Sequence, residues 1–382
     1  MSSINVIMRP ASTVCNLSCY YCYNKLELLA QPNRFMKIDI LEHVIRNFIH
    51  SGRKTIKFLW HGGEPMIVGL DFYRQAVEFQ KTAMAQLSSP IIITNTIQTN
   101  GLLLDEEKVK FLISEKFNFG ISIDGPDYVH NQNRYDRSGK GSHKRVMEKI
   151  EMLRRMRAKI GIVSVVTKKS LPYAEDIFDF FIGKGLTSMH FSPYVEMDRK
   201  TGLMDERSLT AEEFGYFIVK IFKAWKRLNN PEVKVRIIDN FLQGLLGGRM
   251  ELCTFAGNCS HHLLVEVNGD IFICGRNANK QKFHVGNVVQ TKISDVIASD
   301  AFQETSRQMQ RVSEDCEKCK WLNVCKGGCS YYKLMFSDGL EPKTEYFCEG
   351  YKIILAEIEN WLHAEGVISR GTSFKSSKKD NE

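Results

Sequence analysis

Six apolar, strand-like runs alternate with five amphipathic stretches through the first half of the chain, and this alternation limits the fold more than any other feature. The runs span residues 4–8, 55–60, 91–98, 119–123, 159–167 and 189–191. Between them, 38–50, 71–86, 105–116, 143–157 and 173–183 carry apolar residues at helical spacing. Asp105 followed by Glu106 and Glu107 reads as a helix start, a capping residue ahead of an acidic first turn. Repeated strand–helix units of this size build a parallel sheet with helices outside it. Six units are fewer than a closed eight-fold barrel requires, so the expected fold is α/β, a partial (β/α)6 TIM-like barrel. Its chemistry then belongs in the loops at the C-terminal ends of the strands.

Beyond residue 209 the pattern changes. Residues 210–228 read as a helix, after which the chain is irregular, cysteine-rich and punctuated by glycine. Only 349–366 reads as a further amphipathic helix, with Tyr351, Ile354, Leu355, Ile358, Trp361 and Leu362 on one face. The expected organisation is a barrel over 1–230, a smaller irregular cysteine-rich domain over 231–366 and a disordered tail over 367–382. No repeat of fixed period runs through the sequence.

The 11 cysteines take their meaning from compartment. No apolar run has the length of a membrane span, and the N-terminus lacks the pattern of a secretory signal, so the expected location is cytoplasmic. In a reducing compartment, clustered cysteines bind metal or do redox work, and an odd number cannot close a disulfide framework. The net charge of +8 reads as solvated surface. Without an aromatic-interleaved basic patch, no nucleic-acid partner is expected.

Cys15, Cys19 and Cys22, spaced C-x3-C-x2-C, follow the first strand. Three thiolates suit a four-iron cluster with one iron left open, whereas a structural zinc would take a fourth ligand nearby. Ferredoxin loops use a narrower first gap. Two other motifs fall at strand ends: HGGEP at 61–65 after the second strand and DGP at 124–126 after the fourth. The stretch CNLSCYYC, with Tyr21 as its aromatic, resembles the signature of the radical S-adenosylmethionine (SAM) enzymes. That resemblance implies that the open iron chelates the amino and carboxylate groups of SAM. Gly62, Gly63 and Glu64 look like the family's GGE motif, which receives the SAM ammonium.

The other cysteines resemble a SPASM domain, the auxiliary-cluster module of peptide- and protein-modifying members of that family. Cys259 to Cys274 reads C-x9-G-x4-C, Cys316 to Cys329 reads C-x2-C-x5-C-x3-C, and Cys348 follows. Taken alone, CEKCKWLNVCKGGC also suits a zinc ribbon. The resemblance implies one cluster on Cys253, Cys259, Cys274 and Cys329 and another on Cys316, Cys319, Cys325 and Cys348. With the first triad this gives three [4Fe-4S] clusters plus SAM and leaves no cysteine over. Full ligation of both auxiliary clusters favours electron transfer as their task.

From MRPAST through QTNG, ISIDGP and HNQNR to KGGC and FCEGY, the chain is similar to the anaerobic sulfatase-maturating enzymes. By that match Gly63, Ser122, Arg134 and Val195 join Tyr21 around SAM, with Ser122 and Arg134 near the ribose. Gln98 and Asn100 are further pocket candidates. The implied partners are a peptide or protein substrate and an electron donor such as flavodoxin or ferredoxin. The face 194–199 and the loop 276–284 are positioned to meet substrate. One departure matters. Those maturases carry an aspartate base directly after the cysteine that corresponds to Cys274, and here the position is Gly275, which cannot accept a proton. His261 and His262 are alternatives, and the base is otherwise unknown. The sequence therefore favours a peptide maturase that forms a carbon–carbon, carbon–oxygen or thioether crosslink, with oxidation of a cysteine or serine to formylglycine as the alternative. With the first strand starting at residue 4, no leader-peptide-binding domain is expected ahead of the barrel.

Overall fold

The protein is described by a computed structural model covering residues 3–24, 35–197, 204–277, 280–335 and 343–369. The tail from 370, and the candidate substrate-facing positions 198–199 and 278–279, lie outside the described residues.

The chain packs as two compact units. One comprises Met1–Ile123, His130–Ile162 and Ser260–Arg307, the other Asp124–Val129, Val163–Cys259 and Gln308–Glu382. In the first unit the strands are β1 (Ser3–Met8), β2 (Thr55–Trp60), β3 (Ile92–Thr99), β4 (Asn118–Ser122), β8 (His262–Val265), β9 (Asp270–Ile273) and β10 (His284–Asn287), given their numbers in the whole chain. Their order is β10-β9-β8-β1-β2-β3-β4. β1 to β4 are parallel, and β8 pairs parallel with β1, Asn5 facing His262. β9 and β10 then run antiparallel. The second unit holds β5 (Ile160–Val166), most of which lies there, β6 (Ser188–Pro193) and β7 (Lys234–Val235).

Burial explains the legible strands. Val6, Met8, Ile56, Phe58, Trp60, Ile97, Phe119 and Ile121 are buried to 1% exposure or less, as strands covered by helices require. Helices Ile38–Ile49, Leu70–Ala85 and Glu106–Ser114 follow β1, β2 and β3, and Asp105 caps the last by accepting from Lys108 N at 2.9 Å. In the second unit, helix Ala211–Leu228 carries a capping box formed by Thr210 and Glu213. Phe222 and Trp225 stack there, and Trp361 of helix Cys348–Ala364 meets both edge-to-face.

The C-terminal region is more regular than expected. Strands β8 to β10 and helices Arg236–Leu245 and Asp300–Gln310 form where an irregular stretch was read. The four-residue strands are too short to show a period, and the partner that anchors β8, β1, is remote in sequence.

Candidate active site

The parallel register brings the C-terminal ends of β1, β2 and β3 level, with Met8 opposite Trp60 and Trp60 opposite Ile97. The loops that follow are those carrying Cys15–Cys22, Gly62–Glu64 and Asn100. Two hydrogen bonds dock the second loop on the first: Gly63 N donates to Ser12 O and Glu64 N to Val14 O, each at 2.8 Å. A side chain at Gly63 would overlap the Val14 carbonyl oxygen. The glycines thus serve the approach of one loop to the other.

Glu64 is fully buried. Its carboxylate accepts from Met66 N (3.0 Å), Thr99 Oγ1 (2.7 Å) and Asn100 N (2.9 Å). Burial raises its pKa and these hydrogen bonds oppose the rise. Both oxygens are engaged by the protein, so Glu64 ties the β2 loop to the end of β3. The Gly62 carbonyl accepts from Asn24 Nδ2 at 3.0 Å, Asn24 accepts from Arg9 at 3.1 Å, and Arg9 closes a buried ion pair with Glu266 at 2.7 Å.

Around the triad, Leu17 N lies 3.4 Å and Asn100 Nδ2 3.7 Å from Cys15 Sγ as donors, and Asn100 Nδ2 also donates to Asn16 Oδ1 at 2.7 Å. Cys22 N donates to Cys19 O, turning those two residues together. The segment after β4 grips the loop from the other side. Ser18 N donates to Tyr135 O, Tyr20 N to Asn133 O and an Arg137 Nη to Cys15 O. The Arg134 guanidinium stands over the Tyr21 ring at 5.3 Å. Gln98 Nε2 donates to Ser122 Oγ at 3.0 Å across β3 and β4. The structure therefore brings Cys15, Cys19, Cys22, Tyr21, Gly62, Gly63, Glu64, Gln98, Asn100, Ser122 and Arg134 together within the first unit, while Val195, buried after β6, belongs to the second. Sequence reasoning did not single out Arg9, Asn16, Asn24 or Glu266.

Of the remaining cysteines, Cys274 lies in the first unit and the others in the second. Cys274 adopts φ 71°, and a Cβ at Gly275 would sit 3.0 Å from Ile7 Cδ1. In the second unit, Cys319 N donates to Cys316 O, and Ser313 Oγ donates to Cys316 Sγ at 3.3 Å. Burial raises the Cys325 pKa, helped by the charges of Glu345, Cys348, Cys316 and Cys319, so these four cysteines share one neighbourhood. Burial pushes Cys348 up to about 12 and Cys15 up to about 11.

These residues fit iron–sulfur clusters. All 11 cysteines are free of disulfides, and buried thiols with raised pKa give up their protons to a bound metal. N–H donors on Cys15 Sγ match the hydrogen bonds that tune cluster sulfurs. Among the described residues no three Cys, His, Asp or Glu side chains close around a single ion. No described helix is long and apolar enough to cross a membrane.

Comparison with known proteins agrees. The radical SAM superfamily profile matches residues 10–181, and the SPASM profile, an iron–sulfur cluster-binding domain, matches 253–320. The chain is 29% identical over 361 residues to the cysteine-type anaerobic sulfatase-maturating enzyme of Clostridium perfringens, covering 92% of this chain and 95% of that protein. It is 29% identical over 365 residues to the serine-type enzyme of Bacteroides thetaiotaomicron, covering 91% and 87%. The solved structure of native anSMEcpe with bound AdoMet and Cp18Cys peptide superposes with a TM-score of 0.85 at 27% identity, covering 96% of this chain and all of that one. Streptococcus suis SuiB bound to S-adenosylmethionine shares the fold, with a TM-score of 0.65 at 17% identity over 91% of this chain and 77% of that one. The expected fold class, a partial barrel followed by a cysteine-rich SPASM domain, stands on these matches. The chain is a radical SAM enzyme with a SPASM iron–sulfur domain.

Proposed function

We propose that this enzyme oxidises a cysteine or serine side chain of a peptide or protein to formylglycine. The observation that carries the reading is the near full-length likeness to both cysteine-type and serine-type sulfatase-maturating enzymes. In this reading Cys15, Cys19 and Cys22 hold the SAM-binding cluster. Cys253, Cys259, Cys274 and Cys329 hold a second, and Cys316, Cys319, Cys325 and Cys348 a third. When bound, the reduced cluster and SAM supply a carbon-centred radical able to take hydrogen from an unactivated carbon.

The chain's own residues set the stage for this. The N–H donors of Leu17 and Asn100 stabilise the Cys15 thiolate. Gly62 and Gly63 offer backbone to the SAM ammonium, and Glu64 acts by holding that loop and Asn100 in place. Tyr21, Gln98, Ser122, Arg134 and Val195 surround the remainder of SAM. The substrate side chain loses one hydrogen atom, one proton and one electron. Serine reaches the aldehyde directly, whereas cysteine passes through a thioaldehyde that water hydrolyses with release of hydrogen sulfide. Clusters held by the two auxiliary cysteine sets would supply an acceptor for that electron. The proton needs a base other than residue 275, and His262, whose backbone carbonyl accepts from Cys274 N at 2.8 Å, is our candidate by position.

Crosslink formation is the second reading, and Gly275 favours it: radical addition followed by loss of an electron needs no carboxylate beside Cys274. Anaerobically reconstituted enzyme, incubated with SAM, a reductant and peptides carrying Cys-x-Pro-x-Arg or Ser-x-Pro-x-Arg, separates the two. An aldehyde trapped by hydrazide and seen by mass spectrometry supports formylglycine. Loss of two hydrogens without an aldehyde supports the crosslink. Consumption of SAM with unchanged peptides contradicts the sulfatase-type substrate.

A further inference from the structure

Lys333 is a buried cation, 3% exposed, four residues beyond Cys329 in the short helix Ser330–Leu334. A buried ammonium is normally matched by a carboxylate. Here Nζ donates to two backbone carbonyls, Met309 O at 3.3 Å and Arg311 O at 2.8 Å, and forms no ion pair with a carboxylate among the described residues. Its counter-charge must come from elsewhere.

Each carbonyl leads to a cysteine. Met309 O also accepts from Ser330 Oγ, and that hydroxyl lies 3.0 Å from Cys259 Sγ. Arg311 is two residues before Ser313, whose hydroxyl donates to Cys316 Sγ at 3.3 Å. The backbone N–H of Lys333 donates to Cys329 O at 3.0 Å. A Cβ at Gly327, midway between Cys325 and Cys329, would fall 3.9 Å from Nζ. Burial lowers the Lys333 pKa, and Cys259, Cys329, Cys316 and Cys325 all act against that fall. Two of these cysteines belong to each auxiliary set.

We propose that Lys333 is a positioning residue that neutralises charge between the two auxiliary clusters and raises the reduction potential of both. The inference rests on the cluster assignment of the preceding section. When the substrate radical yields its electron to an oxidised auxiliary cluster, that cluster gains one negative charge while the substrate's proton leaves to the base. A fixed positive charge nearby stabilises the more negative, reduced cluster more than the oxidised one, so the potential rises. The uptake of the substrate electron is thereby made favourable.

The test uses full-length protein reconstituted with iron and sulfide in a background where Cys15, Cys19 and Cys22 are alanine, so that only auxiliary clusters report. Redox titration followed by electron paramagnetic resonance compares Lys333 with Lys333→Gln, which keeps an N–H donor without the charge, and Lys333→Arg, which keeps the charge. The expected result is full iron in all three, midpoints shifted to more negative potential in Lys333→Gln, and midpoints restored towards wild type in Lys333→Arg. Unchanged midpoints in an iron-replete Lys333→Gln protein overturn the proposal. Loss of iron in Lys333→Gln but not in Lys333→Arg supports a role for the charge, whereas equal loss in both makes Lys333 a packing element and overturns it. A Lys333 protein that binds iron for one cluster only overturns the cluster assignment, and is told apart by its iron content before any titration.

Discussion

Replacing Gly63 by alanine tests how the site is assembled. The new Cβ would overlap the Val14 carbonyl oxygen and lie 2.6 Å from its carbon. Both are backbone atoms with no rotamer to yield, so the β2 loop must withdraw from the cysteine loop by about 1 Å to restore ordinary packing. That movement stretches Gly63 N to Ser12 O and Glu64 N to Val14 O, both now 2.8 Å. At about 1 kcal/mol each, the loss is about 2 kcal/mol, a fall in Tm of about 2–3 °C for a chain of this size. Catalysis should suffer more, because a 1 Å misplacement near the reacting groups costs on the order of 100-fold. The assay is 5′-deoxyadenosine formation from SAM, normalised to iron content, beside a thermal melt. Gly183→Ala is the control: it ends a helix with nothing within 4 Å of the added carbon. It should leave cleavage unchanged and hold or raise stability by about 0.5–1 kcal/mol. Wild-type SAM cleavage by Gly63→Ala would show that the close approach of the two loops is not needed for the site.

Further outcomes follow from the same contacts. Cys15→Ala, Cys19→Ala or Cys22→Ala should abolish 5′-deoxyadenosine formation, while Cys348→Ala should retain some of it and lose coupled peptide turnover; chromatography of both products checks this. Arg9→Met strands Glu266, 1% exposed, and should cost about 3–5 kcal/mol. The double variant with Glu266→Leu should recover part of that loss in a denaturant titration, and additive losses would contradict the pairing. The His61 pKa is lowered to about 4, first by burial and then by the charge of Arg9. The unfolded chain therefore takes up this proton near the ordinary 6.5 and the folded chain only near 4, so the stability it contributes is present above pH 6.5 and lost as pH falls towards 4. Between pH 7 and 5 the Tm of wild type should drop faster than that of His61→Gln, and parallel curves would count against it.

Much of the first unit was legible because its strands are rich in β-branched and aromatic residues, with buried positions alternating along β1 and β2. The same logic failed for β8 to β10. His262–Val265 is four residues long, and its partner β1 lies about 257 positions away in the Asn5–His262 pairing. The clustering of the cysteines is plain in their spacing, and the iron–sulfur character of the domains that carry them agrees with the family matches. Arg9, Asn16, Asn24, Glu266 and Lys333 were not. Each is an ordinary residue type at an ordinary position and acquires a role only through contacts such as the Arg9–Glu266 ion pair, 257 residues apart. Glu64 was recognised as part of a motif, but that its carboxylate turns inward to Met66, Thr99 and Asn100 depends on the end of β3 meeting the β2 loop.

The proposed reaction begins with removal of hydrogen from a side-chain carbon of a peptide. A sulfatase-type peptide deuterated at the β-carbon of its target cysteine, incubated anaerobically with enzyme, SAM and reductant, tests it directly. Deuterium should appear in the 5′-deoxyadenosine, in proportion to modified peptide. Unlabelled 5′-deoxyadenosine accompanied by modified peptide would contradict abstraction at that carbon, and no 5′-deoxyadenosine from iron-replete protein would contradict the radical mechanism itself.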